Sequence, residues 1–167
     1  ARVSDARAAS GTHSLRFTDG PGQEHSFTPH VYYRCRFVEG RMTGRFDIRL
    51  DEHSQFKYQW RHYKGGGYHE GPTVFIAPGG RVVHRGKTLL TVPAGAWVRF
   101  EVTCPLGDAA TQTFTMRAWL PGETEPKVFA DLAHDPAFTR LDWVGLIANG
   151  QRECIFHVDD LEVQPEE

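Results

Sequence analysis

Arginine recurs on alternate or near-alternate residues through several short segments. Arg34 and Arg36 are one pair, Arg45 and Arg49 flank Asp47, and Arg61 stands between Gln59 and Tyr63. Arg99, Arg117 and Trp119 extend the pattern toward the C-terminal half. A guanidinium group binds a carboxylate or sulfate through two parallel hydrogen bonds. An aromatic ring offers an apolar platform for the C–H face of a sugar. A second group follows the glycines Gly65, Gly66 and Gly67: Tyr68, His69 and Glu70, an aromatic, an imidazole and a carboxylate, closed by Gly71-Pro72. This reads as a flexible polar loop over Lys64–Glu70. The candidate ligand-binding residues are therefore Arg45, Arg49, Gln59, Arg61, Tyr63, Tyr68, His69, Arg117 and Trp119. The chemistry they suit is recognition of a polysaccharide, acidic or sulfated ones included. The same arginines also suit a solvated face on which they pair with Asp47, Glu101 and Asp131.

No catalytic signature is as clear as this. Histidine and tyrosine can serve as base and acid, so His62 or His69 with Tyr63 or Tyr68 is where a lyase chemistry could arise. The nine histidines form no metal-ligand pair in a convincing context, and His62 and His69 are too far apart in an extended chain to assume a shared ion. Cys35, Cys104 and Cys154 match no zinc spacing and sit in apolar alternating runs. They read as buried free thiols, with a Cys104–Cys154 bridge as the alternative.

These side chains need a scaffold that alternates. In Gln55–Tyr63, Phe56, Tyr58 and Trp60 fall on one side of an extended chain, and Lys57, Gln59, Arg61 and Tyr63 on the other. The same period of two runs through Ser14–Phe17, His30–Val38, Arg41–Leu50, Thr73–Ala77, Arg81–His84, Trp97–Cys104, Thr111–Leu120, Lys127–Leu132, Trp143–Ala148 and Glu153–Val163. Turn residues separate these runs, with Pro78-Gly79-Gly80 marking a hairpin. Residues 1–12 read as polar and small, and His134–Arg140 as a helical turn. Trp60, Trp97 and Trp143 read as packing residues, and Trp119 as exposed. The expected fold is an all-β antiparallel sandwich of about ten or more strands. Its first and last strands are expected to be neighbours, and its outward arginines to share one trough over a concave sheet.

A chain of 167 residues with 40% hydrophobic and 24% charged residues is one ordinary globular domain. A net charge of −2 speaks against a general nucleic-acid binder. No apolar run approaches membrane-spanning length. The chain opens Ala1-Arg2-Val3 rather than with Met, which reads as a mature segment or a single domain, 1–167, excised from a larger protein.

The two ends carry a family likeness. Ser10-Gly11-Thr12-His13-Ser14-Leu15 and Phe156-His157-Val158-Asp159-Asp160-Leu161 resemble the frame of jelly-roll carbohydrate-binding modules. Trp60-Arg61, Gly71-Pro72, Val92–Trp97 and Trp143–Leu146 are similar to segments of concanavalin A-like lectin/glucanase domains of bacterial polysaccharide-degrading proteins. The resemblance implies a jelly roll, a polysaccharide partner, a linked catalytic domain, and an extracellular or periplasmic setting. It also implies a structural calcium held by Asp159 or Asp160 and carbonyls around His13; the alternative is that the two carboxylates only charge the end of an edge strand. The Glu-x-Asp-x-x-Glu run of glucanases on this fold does not occur here, and only Phe56-Lys57-Tyr58 faintly echoes the alginate-lyase motifs. The expectation is a non-catalytic binding module. A lyase or hydrolase with an unfamiliar site and a structural sandwich packed on a parent enzyme are the alternatives.

Overall fold

A computed structural model describes residues 1–166. Thirteen strands run in order: β1 (Arg2–Ser4), β2 (Ser14–Asp19), β3 (His30–Phe37), β4 (Gly40–Leu50), β5 (Phe56–Lys64), β6 (Gly67–Ala77), β7 (Arg81–His84), β8 (Lys87–Thr91), β9 (Trp97–Leu106), β10 (Thr113–Trp119), β11 (Lys127–Ala133), β12 (Leu141–Ala148) and β13 (Cys154–Pro165). Among the described residues the only helical element is a 3₁₀ turn at Gly107–Ala109. All pairings are antiparallel. One sheet has the order β1-β2-β13-β4-β9-β10-β11 and the other β3-β12-β5-β6-β7-β8. The first long strand, β2, does lie beside the last, as expected, but β1 caps that edge from within residues 1–12, where no strand was expected.

Alternation builds the core. Phe46, Ile48 and Leu50 of β4 and Phe100 and Val102 of β9 meet Phe56, Tyr58 and Trp60 of β5 and Val74 and Ile76 of β6 between the sheets. Tyr58 and Trp60 have no exposed surface, and neither does Phe46's stacked neighbour Phe100. Each such aromatic removes an area worth about 2–3 kcal/mol from water. The three cysteines are free, Cys104 and Cys154 buried and Cys35 half-buried. Burial pushes the Cys35 thiol up to about 11 and the Cys104 thiol to about 12, so both stay protonated and unreactive at neutral pH.

Two expectations are corrected. The triple glycine does not make a long loop: β5 runs to Lys64, β6 starts at Gly67, and Gly65 and Gly66 alone turn the chain, at φ +62° and +82°. Two consecutive left-handed residues suit the twist of a tight hairpin, and glycine adopts them without steric cost. Tyr68, His69 and Glu70 thus belong to a strand paired with Tyr63, His62 and Arg61. Residues His134–Arg140 form no helical turn but an irregular crossing, pinned where Asp135 N–H donates to the Glu70 carbonyl at 3.0 Å and Phe138 N–H to the Asp135 carbonyl at 2.9 Å.

Buried histidines give the fold an acid weakness. Burial lowers the pKa of His134, and of His157, where Arg16, Arg49 and Arg7 add to the effect. Because the folded chain holds these protons less tightly than the unfolded one, stability is full above the ordinary imidazole pKa of 6.5 and falls as pH drops below it. Thermal melts between about pH 7.5 and pH 5 should show a falling Tm, and His134→Gln should flatten the fall. An unchanged slope in the variant would remove His134 from the account.

Candidate functional site

The outer face of the six-stranded sheet carries the most developed arrangement. Residues directly opposite one another on neighbouring strands share a face, so the register lays out three rows across β3, β12, β5 and β6. Arg34, Trp143, Arg61 and Glu70 form the first, Tyr32, Gly145, Gln59 and Thr73 the second, and His30, Ile147, Lys57 and Phe75 the third. In the second row Gly145 leaves a gap, and the Trp143 indole lies over it; a β-carbon at Gly145 would overlap that ring.

Aromatic rings and one guanidinium run diagonally over these rows. Tyr32 stacks on Trp143 at 5.6 Å between centroids. The Arg61 guanidinium sits 4.0 Å from the Trp143 ring and 4.1 Å from the Tyr68 ring, and Tyr68 meets Tyr63 edge-on at 6.0 Å. At the other end His30 stacks on Tyr32 at 5.5 Å. Arg61 Nε donates to Gln59 Oε1 at 2.7 Å. Of the five N–H donors of a guanidinium, this uses one; clamped between two rings, the terminal amides are held in a fixed plane with no carboxylate partner among the described residues. Arg34 and Lys57, on the same face, likewise form no ion pair among the described residues. Beside these rows a cavity of about 540 Å³ is bounded by Lys57, Thr73 and Phe75, by Arg85 at the β7–β8 tip, and by His134 and Asp135.

The other sheet's outer face is chemically opposite. Arg99 Nε and Nη2 donate to both Asp47 oxygens at 2.8 Å. Glu101 accepts from Arg45 at 2.6 Å and from Arg117 at 2.8 Å. Arg45, Arg99 and Arg117 are thereby matched with carboxylates, as the solvated-face reading expected. Trp119 and Trp97 stand on this face, either side of Arg99, lining a hollow of about 440 Å³.

The nine candidate binding residues therefore do not share one trough. Gln59, Arg61, Tyr63 and Tyr68 lie on the outer face of the six-stranded sheet, Arg45, Arg49, Arg117 and Trp119 on that of the seven-stranded sheet. His69 is on neither: with His62 it points inward beneath the hairpin, the two rings 5.8 Å apart. His69 Nδ1 lies 3.0 Å from Asp135 Oδ2, and His62 Nδ1 donates to the Ala137 carbonyl at 3.1 Å. The sheet separates these imidazoles from the Tyr63 and Tyr68 rings, so the acid–base pairing suggested by adjacency in sequence is not assembled. Trp143 and Trp97, read as packing residues, stand on the outer faces of their sheets; Trp143 is nonetheless buried, packed under its neighbours on that face, while Trp97 is half-buried. The side on which Trp143 packs was hidden because its strand is apolar on both faces, which masks alternation; Gly145 two residues on was the available signal.

The terminal segments do come together. Asp159 Oδ2 accepts the Ala9 N–H at 2.7 Å, and Asp160 Oδ1 accepts the Ser10 hydroxyl at 2.5 Å. Asp160 also meets Arg99 Nη2 at 3.3 Å, while His13 Nδ1 pairs with the Thr12 hydroxyl at 2.8 Å. Among the described residues no three His, Cys, Asp or Glu side chains converge as a metal site. The two carboxylates as placed serve N–H, hydroxyl and guanidinium donors.

No protein-family model and no curated protein sequence matches the chain. Its fold is similar to that of solved β-sandwich structures. The PL-14 alginate lyase from Aplysia kurodai superposes with a TM-score of 0.61 at 8% identity, covering 98% of this chain and 87% of that one. A conserved carbohydrate esterase from the Shiga toxin-encoding bacteriophage phi24B gives 0.62 at 14%, covering 99% and 87%. A family 16 carbohydrate-binding module gives 0.50 at 9%, covering 97% and 83%. At such identities the likeness establishes the jelly-roll architecture that the two ends of the sequence resembled.

Proposed function

We propose that this chain is a carbohydrate-binding module that takes an acidic polysaccharide on the outer face of its six-stranded sheet. The observation that carries the reading is the contrast between the two faces. On one, guanidinium groups at Arg45, Arg99 and Arg117 are consumed by carboxylates. On the other, Arg61 is stacked between Trp143 and Tyr68 with its terminal amides uncommitted. A rigid, partly dehydrated guanidinium beside flat aromatic surfaces matches a uronate or sulfated sugar, whose anion takes the fork while its C–H face takes a ring. The solved structures of similar fold, which include a carbohydrate-binding module and an alginate lyase, agree with a carbohydrate ligand.

Affinity electrophoresis through neutral, uronic and sulfated polysaccharide gels tests this. Retardation by an acidic gel is expected, weakened by added salt. Arg61→Ala should cost about 1.5–3 kcal/mol, or roughly ten- to a hundred-fold in Kd. Binding to neutral gels alone, untouched by Arg61→Ala, would sink the proposal. Arg61, oriented by Gln59 and beside Tyr63 and Tyr68, is also the one arrangement here that favours a second reading: a lyase in which the guanidinium neutralises a uronate while a phenol moves the proton. Unsaturated uronate absorbance appearing in the same incubations would put that reading first.

An extracellular or periplasmic setting, and attachment to a catalytic domain whose local substrate concentration the module raises, belong to the same proposal. So does calcium at Asp159 and Asp160, which would have to draw Asp160 away from Arg99; a Tm raised by calcium and lowered by EGTA is its check.

A further inference from the structure

We propose a second saccharide site, for a neutral pyranose, on the opposite face of the sandwich between Trp97 and Trp119. The two indoles project from adjacent strands. Trp119 is directly across from Arg99, and Trp97 lies two residues before Arg99 on the same side of β9. Diagonal neighbours of this kind are about 7–8 Å apart. A sugar ring held between two aromatic planes needs van der Waals contact of roughly 3.5–4 Å on each side, a span of the same order as the spacing of the two strand positions from which the indoles project. Both indoles are half-buried and line one hollow of about 440 Å³, whose remaining walls are Arg45, Asp47, Arg99 and Glu101.

Those four charged side chains decide the ligand class. Arg99 grips Asp47 through two hydrogen bonds of 2.8 Å, and Arg45 binds Glu101 at 2.6 Å. The Asp47 and Glu101 side chains are each only 9% exposed. An anionic sugar would have to displace a bidentate carboxylate from Arg99, which is unfavourable at a partly buried pair. A neutral ring leaves the ion pairs intact and meets a floor of fixed donors and acceptors between two apolar walls. The site thus differs from the Arg61 face in the charge of its ligand, and binding there should be nearly insensitive to salt.

The test uses the whole chain, with the indole N–H resonances of Trp97 and Trp119 followed by ¹H–¹⁵N correlation spectroscopy. The probes are neutral oligosaccharides: cellohexaose, xylohexaose, mannohexaose and laminarihexaose. The expected result is a saturable shift of both indole signals with at least one of them, unchanged by high salt and retained in Arg61→Ala. In Trp119→Ala the Trp97 response should be lost and the affinity weakened at least tenfold, while the Arg61 face still binds its acidic polysaccharide. Trp119→Phe, which keeps a ring, should recover part of the affinity and guards against a merely misfolded alanine variant. No response to any of the four probes overturns the proposal. So does a Trp97 response that survives in Trp119→Ala, or indole shifts that follow protein concentration without sugar and so report self-association. Failure here leaves the Arg61 face untouched, since its ligand, its salt dependence and its variant are separate.

Discussion

Replacing Gly145 with alanine should weaken acidic-glycan binding by about thirty-fold while leaving the protein folded. A β-carbon there would overlap the Trp143 indole, which lies flat over the glycine. The ring must swing away. Trp143 is only 4% exposed beneath its outer-face neighbours, so the ring moves only by displacing them and part of the cost appears as lost stability. Binding suffers more. Trp143 supports Arg61 at 4.0 Å on one side and Tyr32 at 5.6 Å on the other, so lifting it disperses the platform and the guanidinium together. Aromatic and arginine anchors of this kind commonly contribute about 2 kcal/mol or more, which is roughly thirty-fold in Kd. Glycine within a strand is otherwise a modest destabiliser relative to alanine, so the intrinsic effect runs the other way and would partly mask any loss in Tm. Calorimetric titration and thermal melts of Gly145→Ala and Trp143→Ala check this. Wild-type affinity in either variant would mean that the ladder is not the binding surface.

Phe138→Ala should produce the largest loss of stability, about 3–5 kcal/mol, out of a total that for domains of this kind is about 5–15 kcal/mol. Phe138 is fully buried although it belongs to the irregular crossing between β11 and β12. Its ring fills the space over Gly71, where a β-carbon would overlap it, and meets the His134 ring edge-on at 5.2 Å. The same crossing is held by Asp135 Oδ1 accepting the Ala137 N–H at 2.8 Å and by His69 at the other carboxylate oxygen. Removing the ring leaves an apolar void beneath β6 and frees the segment that closes the sandwich end. Denaturant unfolding of Phe138→Ala, with Phe138→Leu expected to lie in between, measures it. A loss below about 1 kcal/mol would show that the crossing is peripheral to the core.

The alternation of Phe56, Tyr58 and Trp60 against Lys57, Gln59 and Arg61 was enough to place every one of those side chains on the correct face of its sheet, though Gln59, on the outer face, is itself covered. The same holds for Phe46 and Ile48 against Arg45 and Asp47, and for Val98 and Phe100 against Arg99 and Glu101, with Asp47 and Glu101 covered by the arginines they bind. Period two is a local property of an extended chain, so the all-β class and the inward set follow from the sequence directly. Three things escaped it for specific reasons. Gly65-Gly66 looked like the start of a loop because glycine signals freedom without saying how many residues turn. β12 concealed the face on which Trp143 packs because Trp143 and Ile147, both buried, make its outer face as apolar as its inner one. Residues 2–4 gave no strand signal because β1 is three residues long and exposed at two of them.

By itself, then, the sequence determined which side chains leave the core, and its two ends identified the jelly-roll frame. Which of the two outer surfaces each side chain reaches was decided only by the tertiary structure. β4 and β5 are consecutive in the chain yet lie in different sheets, so Arg49 and Arg61, both outward by parity, face opposite directions. Alternation is identical for either layer of a sandwich. Only the long-range pairing of β4 with β9 and β13, and of β5 with β12 and β6, sends one set of guanidinium groups to carboxylates and leaves Arg61 between two rings.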